Sequence, residues 1–472
     1  MPADKGYQEL KKRYSIIGTW LVVVGLAGAA FLAGASLRAK QDVFSLPQES
    51  TVQASALIKL TPEQMPVKIE SIAKAQGDVR HRELLNSVLK LVQAHYVDKI
   101  TAAEETKMAR GAVQGMLDSI GDPDTRFVDP KESKLLDDAA AGRFHGIGAI
   151  LALKREKQGD EETHKLIVVT PMPGSPAEKA GIRPGDVISD VGGKWVIAYD
   201  PGFAKLNKAM QNQDIDKLSY KKGWQEAEEK LKNGLSISSA LDELTAKTSG
   251  ETTLRIERPG HKEPIELKVQ YRDTVVDPVT SRMLDKRIGY IRISQFNPRA
   301  AKEFPVELTK MRNAGAKALV IDLRNSPGGL LDTATGIAAQ LTGGGNLAVI
   351  REQTTRRTIR VPKTKAIGLP VTALINNGTA SVAELVAAVL KESGVATLVG
   401  TRTFGDGLIQ TPLVLRDSSA ALITTGKMLT PKGVDFTGSG VKPDKEVADG
   451  DKDADVQLEE ARKLLQAKLG RS

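Results

Sequence analysis

From Arg287 onward the chain alternates short apolar runs with helix-period stretches, and this alternation constrains its fold more than any other feature. "IGYIRIS", "ALVIDL", "VTALI" and "ATLVG" read as strands. Between them lie a helix running to about Asn313, "LLDTATGIAAQL" and "VAELVAAVLKES"; "LVL" and "ALITT" follow as strands. Strands alternating with helices are the pattern of an α/β core. Such a core accounts for less than half of 472 residues, so two to four domains are expected.

The rest of the chain has a different grain. Ile16 to Leu37 is an uncharged stretch long enough to span a bilayer as a helix. Lys11, Lys12 and Arg13 precede it, which orients the N-terminus to the cytoplasm, and Trp20 sits at interfacial depth. The expectation is a single-pass anchor (residues 1–40) with the bulk of the chain on the periplasmic side. Ala33 and Ala35 have the spacing of a signal-peptidase site, so cleavage is the alternative. Residues 41–78 are polar, contain Pro47, Pro62 and Pro66, and read as a linker. "HRELLNSVLKLVQAHYV" and "TKMARGAVQGMLDSI" carry helical periodicity, and "GDPDTRF" breaks it as a turn, giving a helical region over 79–143. From 144 to 273 short β-runs separated by Gly and Pro predict a mainly-β domain. A charged, helix-prone insertion interrupts it at about 194–235.

Composition narrows the function. Basic and acidic residues are interleaved throughout despite the net charge of +9, with no basic block, so nucleic-acid binding is not expected. Cysteine is absent, which removes disulfides, thiolate–zinc sites and thiol catalysis together. No cluster has metal-ligand spacing, and "GGG" at 343–345 lacks the Lys-Ser/Thr of a phosphate loop. Neither metal nor cofactor is expected.

"HGIGAI", "VVTPMPGSPAEKAGIRPGDVISDVGG" and "TTLRIERPG" together resemble a PDZ domain of the bacterial type. The resemblance implies a peptide-binding loop at Gly146, Ile147, Gly148 and Ala149 whose N–H groups catch a terminal carboxylate. The peptide would add as a strand at the sheet edge. The insertion would cap or lengthen that groove.

The blocks "IGYIRISQF", "LVIDLRNSPGGLLD", "NNGTASVAELVAA", "VGTRTFGDGLIQ" and "TPKGVDFTGSGVKPD" occur in the order found in the carboxyl-terminal processing, or tail-specific, serine proteases of peptidase family S41. The resemblance covers about residues 80–472 and implies a ClpP/crotonase-like α/β protease core over 280–472. The family uses a Ser nucleophile, a Lys base and a Gln that helps hold the Lys. Ser381 matches the nucleophile and Gln410 the Gln, whereas Asp406 occupies the Lys position. Ser381 opens a helix, where free N–H groups favour an oxyanion. Val382 N–H is one expected donor; Pro327 has no N–H, so Gly328 is taken as the other. A plain helix cap is the alternative role for Ser381, and Thr379 could also cap.

A carboxylate can accept a proton but is a far weaker base than a neutral amine, and its charge opposes an oxyanion. Lys427 and Lys432 are candidate substitute bases. All five His precede the α/β half, and His145 is the best placed of them. Two functions follow: a periplasmic endopeptidase that captures apolar C-terminal tails and cleaves with Ser381, or a non-catalytic relative that binds such tails as a scaffold or regulatory partner. An oligomer is compatible with either.

Overall fold

The computed structural model describes residues 79–470 apart from 123, 159–160, 197–205, 208, 211, 213–214, 262 and 449–454. The expected membrane segment and linker lie outside the described residues. Among the described residues no helix is long and apolar enough to cross a membrane.

Two helices open the described chain, α1 (Val79–His95) and α2 (Ala102–Asp118). At the start of α2 the Thr101 hydroxyl accepts from Glu104 N–H, and the Glu104 carboxylate accepts from Thr101 N–H. The pair satisfies two end groups that the helix itself cannot. The "GDPDTRF" stretch is more than the expected turn. Its last two residues begin strand β1 (Arg126–Val128), which pairs antiparallel with a strand of the α/β core almost 300 residues later. Arg126 is buried there against Glu132 of α3 (Pro130–Ala140).

β2 (Arg143–Phe144) leads into the mainly-β domain. Its strands are β3 (Ala149–Gln158), β4 (Glu161–Pro171), β5 (Val187–Val191), β6 (Lys194–Trp195), β7 (Glu251–Glu257) and β8 (Ile265–Gln270). The sheet order is β3-β4-β5-β7-β8, with β6 hydrogen-bonded to β5, so β3 is an edge strand. The helix α4 (Pro176–Ala180) is capped by Ser175 and ends on left-handed Gly181. The insertion carries α5 (Lys217–Lys232), and α6 (Ile237–Ala246) follows it. The described part of α5 packs on β6, where Lys230 stands over the Trp195 ring, rather than beside β3. The domain is closed by β9 (Thr274–Val275), which returns to pair with β2.

The core runs β10 (Val279–Met283), β11 (Ile288–Ile293), α7 (Pro298–Asn313), β12 (Ala318–Asp322), α8 (Leu331–Thr342), β13 (Gly345–Glu352), β14 (Arg356–Val361), β15 (Val371–Ile375), α9 (Val382–Glu392), β16 (Ala396–Gly400), β17 (Leu408–Val414), β18 (Ala420–Leu429), β19 (Lys445–Glu446) and α10 (Val456–Leu469). Its main sheet has the order β10-β11-β12-β15-β16-β19, parallel except for β10. β12 and β15 are buried at every position, as expected of parallel strands covered on both faces. One face is covered by Phe304 and Leu308 of α7, in one core with Phe296. The other meets Leu458, Ala461 and Leu465 of α10. A second sheet joins β1, β18, β13 and β14, with β17 on β18. The β13–β14 hairpin and α10 are absent from the sequence reading. The hairpin's outward face is Arg-rich, and its alternation is masked by charge.

Candidate active site

Ser381 sits between the end of β15 and the start of α9. Its backbone is φ 55°, ψ −127°, a left-handed setting rare for a residue with a side chain. Such strain costs on the order of 1–3 kcal/mol and persists where surrounding bonds enforce it. Here they are specific. Ala380 N–H donates to Ser326 O at 2.9 Å, the Thr379 hydroxyl donates to Leu323 O at 2.8 Å, and Ser381 N–H donates to Glu384 at 3.0 Å. The Ser381 side chain is buried and its hydroxyl makes no hydrogen bond. The hydroxyl therefore does not cap the helix, and Thr379 is used elsewhere. The Ala380–Ser326 bond also lays the 326–329 loop beside the turn that presents Ser381. Among the described residues the N–H groups of Gly328 and Val382 have no partner. Gly329 is obligatory in that loop, since a Cβ there would lie 2.3 Å from Phe296 O.

Glu384, on the first turn of α9, organises the site and was not singled out from the sequence. Its fully buried carboxylate accepts from the Thr403 hydroxyl, Gly405 N–H (2.8 Å), Asp406 N–H (2.7 Å) and Ser381 N–H (3.0 Å). One side chain thus ties the nucleophile turn to the 401–407 loop. Burial pushes its pKa up to about 7 in spite of the four bonds, which all pull it down. The signal was in "SVAE": an acid three residues after a helix-opening Ser has capping-box spacing.

Asp406 lies 8% exposed, with one carboxylate oxygen lacking any hydrogen-bond partner. Burial holds its pKa well above the ordinary carboxylate range, and the nearby acids Glu384 and Asp124 raise it further. Only the Leu408 N–H acts to lower it. Among the described residues no cation acts on it. Lys427 turns toward Asp435 (3.8 Å), Lys432 is exposed, and His145 is held by Asp273 (2.7 Å) and Asp138 (3.4 Å). Among the described residues none of the three has a hydrogen bond or ion pair with Ser381 or Asp406.

Gln410, on β17, is buried. Its amide donates to Thr424 of β18 at 2.7 Å, and the Thr424 hydroxyl donates to Asp122, which also accepts from Thr125 at 2.8 Å. The amide orientation of Gln410 is therefore set through Thr424 by the turn before β1. That arrangement leaves the Gln410 carbonyl oxygen buried and unpaired. Ser381, Asp406 and Gln410 each carry a buried polar atom without a partner.

In the mainly-β domain, Gly146 N–H donates to Lys247 O (2.8 Å), Ile147 N–H to Leu244 O (2.9 Å) and Gly148 N–H to His145 O (3.4 Å). Three of the four N–H groups expected to face a peptide carboxylate are engaged within the chain. Ala149 begins β3, whose outer edge faces no strand among the described residues.

Residues 287–447 match peptidase family S41, and residues 167–202 match the PDZ domain. The carboxy-terminal processing protease CtpA of Bacillus subtilis (strain 168) is 30% identical over 362 residues, covering 76% of this chain and 67% of that protein. The chain belongs to peptidase family S41. A probable CtpA-like serine protease of Staphylococcus aureus (strain N315) is 28% identical over 385 residues, 80% of this chain and 66% of the relative. The chain thus spans about two thirds of the length of these curated relatives. Among solved structures, a photosystem II D1 C-terminal processing protease aligns with a TM-score of 0.58 at 27% identity, covering 82% of this chain and 98% of that one. The fold is accordingly the mixed α/β S41 protease fold with a PDZ domain.

Proposed function

We propose that this S41 member binds polypeptide tails through its PDZ domain and is silent as a hydrolase at neutral pH. The observation that carries this reading is Asp406, buried beside two other acids with no cation among the described residues acting on it. Burial and the neighbouring acids disfavour ionisation of Asp406, so it is a poor acceptor for the Ser381 proton. When it does ionise, it adds negative charge beside a developing oxyanion. Polypeptide substrates or ligands are what a PDZ-containing C-terminal processing protease architecture implies, and the free outer edge of β3 supports strand addition as the binding mode.

The second reading is a serine endopeptidase with Ser381 as nucleophile, Gln410 positioned beside it, and Gly328 and Val382 N–H groups as the oxyanion donors. It is favoured by the strained Ser381 backbone, which is costly to keep without a use. Cleavage of an unfolded protein with an apolar tail separates the two, using wild type, Ser381→Ala and Asp406→Lys at pH 7. Silence in wild type and gain in Asp406→Lys is expected. Wild-type turnover that vanishes in Ser381→Ala would sink the silent reading.

Placement outside the cytoplasmic membrane on an Ile16–Leu37 anchor belongs to the same proposal, supported by Lys11–Arg13 ahead of the apolar run. Because the chain has no native cysteine, a Ser472→Cys variant can be labelled with a membrane-impermeant maleimide in intact cells. Labelling only after permeabilisation would contradict this topology.

A further inference from the structure

Where the PDZ domain meets the protease core, a cavity of about 280 Å³ is lined from both sides. The PDZ side contributes Glu178 and Arg183, and the core contributes Arg292, Asp322 and Arg324. The charges are unevenly paired: Asp322 acts on Arg292 electrostatically but makes no hydrogen bond to it. The Arg324 guanidinium is taken by Asp322 (2.7 Å) and Asp455 (2.7 Å), and Asp322 also accepts from the Tyr290 hydroxyl. Glu178 accepts from Gly174 N–H at 2.6 Å. Arg183 and Arg292 remain: among the described residues neither side chain has a hydrogen bond or ion pair, and the Arg292 Nε is buried without a partner.

Leaving the buried Arg292 Nε without an acceptor is costly, and the fork geometry of this half-buried guanidinium suits an oxyanion. At about 30 Å³ per water, the cavity holds a carboxylate or phosphate group together with several waters. We propose that this cavity is an anion site in which a compact oxyanion bridges Arg183 of the PDZ domain and Arg292 of β11. Its position gives the ligand leverage. Gly185 lies so close to Asn377 that an added Cβ would stand 3.0 Å from the amide nitrogen, and a Cβ added at Gly378 would stand 2.8 Å from the Pro184 ring. These contacts fall on the turn that leads into Ser381, so a bound anion pins the PDZ domain against that turn. The inference does not depend on whether the site hydrolyses peptides.

The test uses the full chain in neutral detergent micelles at constant ionic strength. Thermal unfolding is followed against inorganic phosphate, acetate, and an apolar peptide with a free or an amidated C-terminus. A saturable rise in Tm is expected for at least one anion, weakened tenfold or more in Arg292→Gln and in Arg183→Gln and unchanged in Arg282→Gln. Response to acetate and to the free-acid peptide, but not its amide, identifies a peptide terminus as the source; response to phosphate alone identifies free phosphate. Arg292→Lys, which keeps the charge and loses the fork, should fold if Arg292→Gln does not and should still bind more weakly than wild type. No saturable response to any anion, or an equal response in both arginine variants, overturns the proposal.

Discussion

Glu384→Gln probes the buried acid that ties Ser381 to the 401–407 loop, and its effect can be worked from the structure. The folded pKa of Glu384 is about 7 against an ordinary 4.5. The native state therefore holds the proton more tightly than the unfolded chain. This contribution to stability is complete below about pH 4.5 and is lost as pH rises to about 7. Between pH 5 and pH 8 the loss is about 2–3 kcal/mol, from roughly two pH units at about 1.36 kcal/mol each. Glutamine does not titrate, so the variant should lack that slope. It also removes one of the two acids that raise Asp406, which flattens the profile in the same direction. Independently of pH, an amide can accept on only one side, so at least one buried N–H among Ser381, Gly405 and Asp406 loses its acceptor, at about 1–3 kcal/mol. Hydrogen exchange of the α9 amides, measured where it reports equilibrium opening, gives the local stability at each pH. Wild type should exceed the variant by about 2 kcal/mol more at pH 5 than at pH 8. Equal slopes in the two proteins would refute the assignment of the high pKa to Glu384.

Thr424→Val should leave the buried Gln410 amide donor unpaired and cut the link to Asp122, lowering core stability by about 1–3 kcal/mol in the same exchange measurement; an unchanged value would show that the relay is not formed. Gly146→Ala should unfold or distort the PDZ domain, because the left-handed backbone and a Cβ 1.8 Å from Leu244 O leave no room. Fluorescence of Trp195 and Trp224, both in that domain, would detect it, and native-like emission with unaltered tail binding would count against the packing described. Phe304→Ala, fully buried beneath the main sheet, should cost about 3–5 kcal/mol, visible as a lowered midpoint in urea followed by far-UV circular dichroism.

What the sequence disclosed and withheld follows from the range of the interactions. β11, β12 and β15 are legible because burial on both faces leaves mostly apolar runs, interrupted only by Tyr290, Arg292, Asp322 and Thr372. Ser381 and its turn are legible because a strand, Asn-Gly and a helix start stand in order along the chain. Glu384 hid as an ordinary helix acid, since nothing local says that its partners lie about 20 residues further on. Asp122 hid more deeply: its bond to Thr424 spans 302 residues, and its own surroundings read only as a turn. β3 and β4 run well beyond "GAILAL" and "KLIVVT" because the far half of their hairpin is charged, which hides the period-two pattern.

The same bonds explain how a residue so unlike lysine can occupy position 406 without dissolving the site. Every contact that Glu384 makes to the loop is to a main-chain N–H or to Thr403; none is to the side chain at 406. The loop is further pinned by Phe404 N–H on Thr379 O, by Gly438 N–H on Gly405 O and by Met428 N–H on Gly407 O. Gly405 is packed so closely against the 438–440 turn that only a glycine fits there. Backbone geometry is thus fixed independently of the proton acceptor. A change at 406 alters charge and proton affinity while the nucleophile, the free N–H groups and Gln410 stay in place. For that reason Asp406→Lys is a single-residue test of chemistry rather than of folding: the amine would enter a preformed setting, with Glu384 and Asp124 as its counter-charges.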